Sequence, residues 1–271
     1  MRAPEILSLP IIESALSTSY IGRGTNELHD EIGSTNTRCA ELAAAGAPEG
    51  TVVIARQQTA GRGRQGKAWS SPPDAGISFS CLLRPHQAKI PLNKLPLVTL
   101  ATGVACARAI ESSSGIRLGL KWVNDLTANG KKVGGILAEM PGQALVIGIG
   151  INIRLDVATL PEEIKERVDW LENLAGAPVD PNLVVVELCS RLEDEYEKLK
   201  AGDTAGILEA WRAYSVSIGR DVIARSGTRE IYGHTIGLAD SGALLLKTPD
   251  GELVELSAGE ISLRMADGSY C

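Results

Sequence analysis

Phenylalanine occurs once in 271 residues, and aromatic residues make up only 4% of the chain. Histidine is nearly as scarce: His29, His86 and His234 are too scattered for a His-based metal site. The five cysteines, Cys39, Cys81, Cys106, Cys189 and Cys271, are odd in number, far apart and without a CxxC pair. That usage speaks against a disulfide framework or a zinc site and for a reducing compartment, so a cytoplasmic location is expected. No apolar run is read as reaching the ~18 residues of a membrane span, and no membrane partner is expected. The N-terminal stretch lacks a charged n-region and a clear cleavage site, so it is read as an ordinary helix or extension. A basic excess is also missing. Lys and Arg number 27 against 33 Asp and Glu, a formal charge of −6, which argues against a general nucleic-acid binder.

What is present is ordinary for a globular chain, with 44% hydrophobic and 22% charged residues. Glycine is the outlier at 29 of 271 residues, above the usual ~7%. The excess implies tight turns or close approach of backbone to a ligand.

Residues 34–46 (STNTRCAELAAAG) read as a capped helix. Residues 51–57 are β-branched and read as a strand, and 77–83 as a second. Between them, 59–76 are rich in glycine and proline without periodicity, hence a long loop. Residues 92–114 carry a helical pattern ended by Gly115, and 116–125 read as a strand running into a turn. Asn129-Gly130 signals a hairpin, with GLKWV and VGGILAEM as its strands. Residues 144–153 form a continuous apolar run, a buried central strand. Helices are expected near 181–200 and 203–215. From about Gly219 only short strands and tight turns follow, which suggests a small β-barrel. The division is therefore 1–217 and 218–271, a mixed α+β part followed by a small β part.

Three stretches carry chemistry. Gly61, Gly63 and Gly66 fit GxGxxG, but Trp-Ser-Ser-Pro-Pro follows where a dinucleotide fold opens a helix, and positions 81–93 hold no acidic ribose ligand. More telling are Arg56, Arg62, Arg64 and Lys67, since residues 50–73 hold no acid. Guanidinium forks on a flexible loop suit phosphate or carboxylate, although a solvated basic loop reads the same way. KWVND (121–125), if extended, puts Lys121, Val123 and Asp125 on one side, and Asn124-Asp125 also fits a plain turn. Lys132 beside Gly134 and Gly135 could neutralise anionic oxygens or stand exposed on a hairpin. Gly148 and Gly150 inside the apolar strand imply a close approach or a bulge. Asn152 at its end could read a base edge or make a turn.

Taken together these stretches resemble the biotin–protein ligases. STN (34–36), QTAGRGRQGKAW (58–69), KWVNDL (121–126), KKVGGILAE (131–139) and VIGIGINI (146–153) match five family blocks in order. Lys67 stands where the family usually has Arg, and Val123 where it often has Pro. Val123 is expected only to relax the backbone. The resemblance implies an α+β fold, a mixed sheet flanked by helices as in class II synthetases, followed by a small SH3-like β-barrel. It implies the ligase-only form without a DNA-binding domain, hence no DNA partner. The implied reaction joins biotin to ATP as biotinyl-5′-AMP and then transfers biotin to a lysine on the biotin carboxyl carrier domain of acetyl-CoA carboxylase. Biotin, ATP and Mg²⁺ are the implied ligands.

The same resemblance implies the site residues. Ser34, Thr35, Asn36, Gln58 and Gly61 would meet the biotin ring. Arg62, Arg64 and Lys132 would act on the carboxylate and phosphates as the catalytic set. Gly135, Leu137, Gly148 and Gly150 would lie along biotin. Lys67, Trp69, Asn124, Asp125 and Asn152, with Arg64 and Lys132, would meet ATP. No protein-held metal set is implied. The nearest rivals are a lipoate ligase or octanoyltransferase of the same fold, whose RRxSGGG-type block is missing, and a non-catalytic biotin-binding regulator, which would need no cationic clamp.

Overall fold

A computed structural model describes residues 6–160, 162–226, 228–257, 262–267 and 270. The chain opens with α1 (Leu9–Ala15), β1 (Glu27–Ile32), α2 (Thr35–Ala44), β2 (Val52–Gln58) and β3 (Gly76–Leu83). The long α3 (Pro96–Ser114) leads to β4 (Gly119–Lys121), β5 (Asp125–Ala128), β6 (Lys131–Glu139) and β7 (Leu145–Asn152). Then come α4 (Glu162–Lys165), α5 (Leu171–Ala175), α6 (Pro181–Lys200) and α7 (Thr204–Tyr214). The C-terminal part holds β8 (Asp221–Ser226), β9 (Arg229–Leu238), β10 (Leu244–Lys247), β11 (Leu253–Leu256) and β12 (Ser262–Met265).

Seven strands form one mixed sheet in the order β1-β2-β3-β7-β6-β5-β4. Only β1 and β2 run parallel, because α2 carries the chain back between them. Alternation along the strands splits the core. Val52 and Ile54 belong to the main core cluster that includes the buried residues of α3 and α6, while Val53 packs with Cys39 of α2, Leu82 and Val146 in a second cluster. Gly115 ends α3 in the left-handed conformation at φ 72°. By length and composition α3 and the turn before it would pass as a membrane span, contrary to the sequence reading, yet 67% of that window is buried against the rest of the fold. The four described cysteines are free and buried.

The mixed α+β architecture agrees with the sequence reading. Residues 116–125 do run from a strand into a turn, but the strand, β4, already stops at Lys121. Trp122–Asn124 form a turn, so Lys121 and Asp125 are paired across a hairpin instead of sharing one side of a strand. The strand entering the Asn129-Gly130 turn is therefore β5, not GLKWV. Both turn residues have positive φ, 50° and 74°, as a two-residue hairpin loop requires. The Trp122–Val123 peptide bond is cis.

The C-terminal strands make a separate antiparallel sheet, ordered β11-β10-β9-β8-β12. Among the described residues its edges do not close into a barrel. It is tied to the larger sheet through the 122–124 turn. Trp122 donates its backbone N–H to Ser217 Oγ at 2.9 Å and its indole N–H to the Gly242 carbonyl at 3.1 Å.

Candidate active site

The face of the large sheet beside α2 is hollow because small residues line up across three strands. Ser78 on β3 pairs with Gly150 on β7, which pairs with Gly135 on β6. In the next row Ser80 pairs with Gly148, and Gly148 with Leu137. Directly paired residues point to the same face, so the first row lacks bulk on all three strands and the second on two of them, whereas the row between carries Phe79, Ile149 and Ile136. The hollow is roofed by α2 and the glycine-arginine loop. A Cβ on Gly148 would lie 2.2 Å from Asn36 Oδ1, and one on Gly150 would lie 2.4 Å from the Trp69 ring. The resulting cavity measures about 420 Å³.

One end is polar and uncharged. Thr35 donates to Gln58 Oε1 from its backbone N–H at 2.9 Å and from its hydroxyl at 3.1 Å. Gln58 Nε2 donates to Ser78 Oγ at 3.1 Å, and the Ser80 hydroxyl donates to Asn36 Oδ1 at 2.6 Å. Ser34, at the start of α2, lines the same end. Such hydroxyls and amides supply matched donors and acceptors for a neutral polar ring.

The other end is cationic. Among the described residues, seven Lys and Arg side chains line the cavity against one carboxylate, Asp125. Lys132 reaches it through an irregularity in the sheet. The β5–β6 register shifts between Leu126 and Thr127, which leaves Val133 as an extra residue on β6. Such a bulge reverses the alternation, so Lys132 and Gly135 share the cavity face while Val133 is buried in the core. Lys132 Nζ then donates to Asp125 Oδ1 at 2.5 Å. Burial pushes the Asp125 carboxyl up, but Lys132, Tyr270 and Lys121 outweigh it and hold it below the usual carboxylate value. Arg64 donates to Asn124 Oδ1 at 3.1 Å, and Asn124 Nδ2 to the Ile136 carbonyl at 2.9 Å. Burial lowers the Arg64 pKa, and Asp125 raises it in part.

The family model described as "Biotin/lipoate A/B protein ligase family" matches residues 29–156, and "Biotin protein ligase C terminal domain" matches 217–264. The bifunctional ligase/repressor BirA of Bacillus subtilis is 37% identical over 256 residues, covering 93% of this chain and 78% of its own. The biotin–[acetyl-CoA-carboxylase] ligase of Paracoccus denitrificans is 34% identical over 240 residues, covering 84% of this chain and 96% of its own. The chain belongs to the biotin protein ligase family. The fold agrees. The Aquifex aeolicus biotin protein ligase, solved in complex with biotin and ATP, superposes with a TM-score of 0.80 at 32% identity, over 89% of this chain and 100% of that one.

Within this ligase fold the cavity gathers most of the residues that the sequence singles out. Ser34, Thr35, Asn36 and Gln58 line it at the polar end. Gly135, Leu137, Gly148 and Gly150 form part of its wall. Arg62, Arg64, Lys67 and Trp69 reach it from the loop, and Asn124, Asp125 and Lys132 from the β5–β6 side. Two do not line it. Gly61 packs beneath Trp69, whose backbone N–H donates to its carbonyl at 2.9 Å. Asn152 turns away into the fold and donates to the Asp169 carbonyl at 3.0 Å, holding the segment that pairs with Lys132.

Sequence reading missed several lining groups. Lys121 is buried, with its ammonium 3.4 Å from the centre of the Tyr270 ring. Tyr270 donates its hydroxyl to Asp125 Oδ2. Arg264 comes from β12, and Arg167 from the segment bridged to β6. Lys121 lies within the KWVNDL block, but no local spacing points to Tyr270, Arg264 or Arg167, because distant chain segments bring them to the cavity. A protein-held metal cage is not among the described residues.

Proposed function

We propose that the chain is an ATP-dependent biotin–protein ligase. It activates biotin as biotinyl-5′-AMP and then biotinylates one lysine on the biotin carboxyl carrier domain of acetyl-CoA carboxylase. The observation that carries this reading is the two-part cavity, a neutral polar cradle continuous with a cationic end.

In this reading Ser34, Thr35, Asn36 and Gln58 hold the ureido ring, whose donors and acceptors match theirs. The ring and its chain lie along Gly148, Gly150, Gly135 and Leu137. The biotin carboxylate is thereby aimed at Lys132, Arg62 and Arg64. A carboxylate oxygen attacks the α-phosphorus, the bond to the β-phosphate oxygen breaks, and pyrophosphate leaves. The reaction brings two anions together, and cations fixed in place before the reaction offset that repulsion. Lys67, Trp69, Asn124 and Asp125 serve the nucleotide. Asn152 acts from behind by holding the segment against Lys132. Asp125, the carboxylate among the described lining residues, would hold Mg²⁺, which would supply charge neutralisation to the nucleotide phosphates.

In the second step the carrier lysine, as the neutral amine, attacks the acyl carbon. AMP leaves, and the amine loses a proton as the amide forms. The boundary between the catalytic part (1–217) and the small β part (218–271) belongs to this proposal, as does a cytoplasmic setting. The test is to incubate the chain with ATP, biotin and an apo carrier domain and to weigh the carrier. One added biotinyl group is expected. An unmodified carrier, or one that gains a lipoyl or octanoyl group instead, overturns the reading.

A further inference from the structure

Glu139 closes β6 at the rim of the cavity and has no role in the reaction as described above. Its Oε2 accepts two hydrogen bonds from different parts of the chain. Asn36 Nδ2 on α2 donates at 2.7 Å, and Arg62 on the glycine-arginine loop donates at 2.8 Å. Asn36 is itself part of the polar cradle. Its Oδ1 accepts from Ser80, and Ser80 Oγ lies 2.8 Å from Thr35 Oγ1. Thr35 meets Gln58, Gln58 meets Ser78, and Ser78 Oγ lies 3.0 Å from Ser71 Oγ. One chain of hydrogen bonds therefore runs from Arg62 through Glu139 and the cradle to Ser71. It ties both ends of the loop to the cavity floor.

We infer that Glu139 is a positioning residue that fixes Arg62 over the cavity and couples it to the cradle. The inference rests on the ligase reading above. A guanidinium has five donors in a planar fork, so one edge can rest on Glu139 while the others face ligand oxygens. The pair is part-exposed, with side-chain exposures of 47% for Arg62 and 34% for Glu139. In water such a pair is weak. A ligand that covers it excludes water and strengthens it. Glu139 thus contributes to retention of the adenylate more than to folding or to binding of biotin alone.

The test uses the full chain loaded with biotin and ATP and follows release of biotinyl-AMP. Glu139→Gln keeps an acceptor for Asn36 but removes the charge facing Arg62. It is expected to release the adenylate about tenfold faster, with biotin affinity within about twofold of wild type. Glu139→Asp, which keeps the carboxylate on a shorter arm, gives an intermediate rate. Arg62→Ala releases at least as fast as Glu139→Gln, and the double variant no faster than Arg62→Ala alone, because both changes cut the same link. Unchanged or slower release in Glu139→Gln overturns the inference, as does a double variant in which the two effects multiply. A wild-type chain that makes no biotinyl-AMP overturns the ligase reading and this inference with it. A wild-type chain that makes it, with release unmoved by Glu139→Gln, overturns this inference alone.

Discussion

Lys132 Nζ lies 2.5 Å from Asp125 Oδ1, and the two meet because the bulge at Val133 turns Lys132 onto the face that Asp125 already occupies. A lysine placed by regular alternation would point into the opposite layer. Here the cation is held at the cavity by a carboxylate beneath it and by the Gly135 backbone beside it. A Cβ on Gly135 would lie 3.1 Å from Lys132 Nζ.

Lys132→Ala is expected to lower biotinyl-AMP formation by about a hundred- to a thousandfold, the scale for losing one fixed stabiliser of developing charge. Pyrophosphate release is the readout. The fold should survive, since Tyr270 and Lys121 still face Asp125. Full activity in this variant would remove Lys132 from the mechanism.

Asp125 titrates below its ordinary value of 3.8. A depressed carboxylate stabilises the fold above its unfolded pKa and loses that contribution as the pH falls through its folded pKa. Asp125 therefore stays ionised through the neutral range, and activity between pH 6 and 8 should show no titration from it. In Lys132→Ala the Asp125 pKa rises, because its strongest partner is gone while burial remains. Carboxyl-carbon NMR across an acid titration reads this directly.

Gly148→Ala should disturb biotin binding. Its methyl would fall 2.2 Å from Asn36 Oδ1 in the roof of the polar cradle. Overpacking of this kind costs about 1–3 kcal/mol. Calorimetry should show weaker biotin binding, and thermal melts a lower midpoint. Unchanged affinity would mean that Asn36 can move without consequence for biotin.

Glu27→Gln tests the hold of β1 on α2, away from the cavity. Hydrogen bonding from Arg38 lowers the Glu27 pKa from 4.5 to about 2, with burial opposing it and His29 assisting. Its contribution is complete above pH 4.5 and is lost as the pH falls towards 2. The substitution should cost about 1 kcal/mol at pH 7 after allowance for solvent screening. The difference from wild type should vanish near pH 2. Denaturant melts at the two pH values check it.

Trp122→Phe removes the indole N–H that holds the Gly242 carbonyl. A buried acceptor left without its donor costs about 1–3 kcal/mol. Because β12 carries Arg264 to the cavity, loosening the small sheet should also raise the KM for ATP more than that for biotin. Equal changes in both would separate the sheet from the nucleotide.

The local parts of this site are legible in the sequence. The glycine-arginine loop, the Asn129-Gly130 turn and the alternating glycines of β7 each depend on neighbours a few residues away. The paired rows Ser78–Gly150–Gly135 and Ser80–Gly148–Leu137 need the strand order and register, which no short pattern states. Residues 116–125 do run from a strand into a turn, but GLKWV failed as the partner strand of the Asn129-Gly130 hairpin, because β propensity extends through Trp122 and Val123 whereas the Trp122 hydrogen bonds to Ser217 and Gly242 anchor that residue in the turn. Asn152 looked like a ligand contact because an amide suits a base edge, but its nearest partner is the Asp169 carbonyl. Lys132 was found by its motif, yet its orientation comes from the bulge. Tyr270 lies 145 residues from the Asp125 it meets, beyond any local signal, and Arg264, which stacks on Tyr270, reaches the cavity with it.

The most direct measurement is pyrophosphate release by the purified chain with biotin and ATP, supplied separately and together. The account predicts pyrophosphate only when both are present, matched by biotinyl-5′-AMP that persists until an apo carrier domain is added. Pyrophosphate release that ignores biotin, or that requires lipoate or octanoate instead, would contradict it.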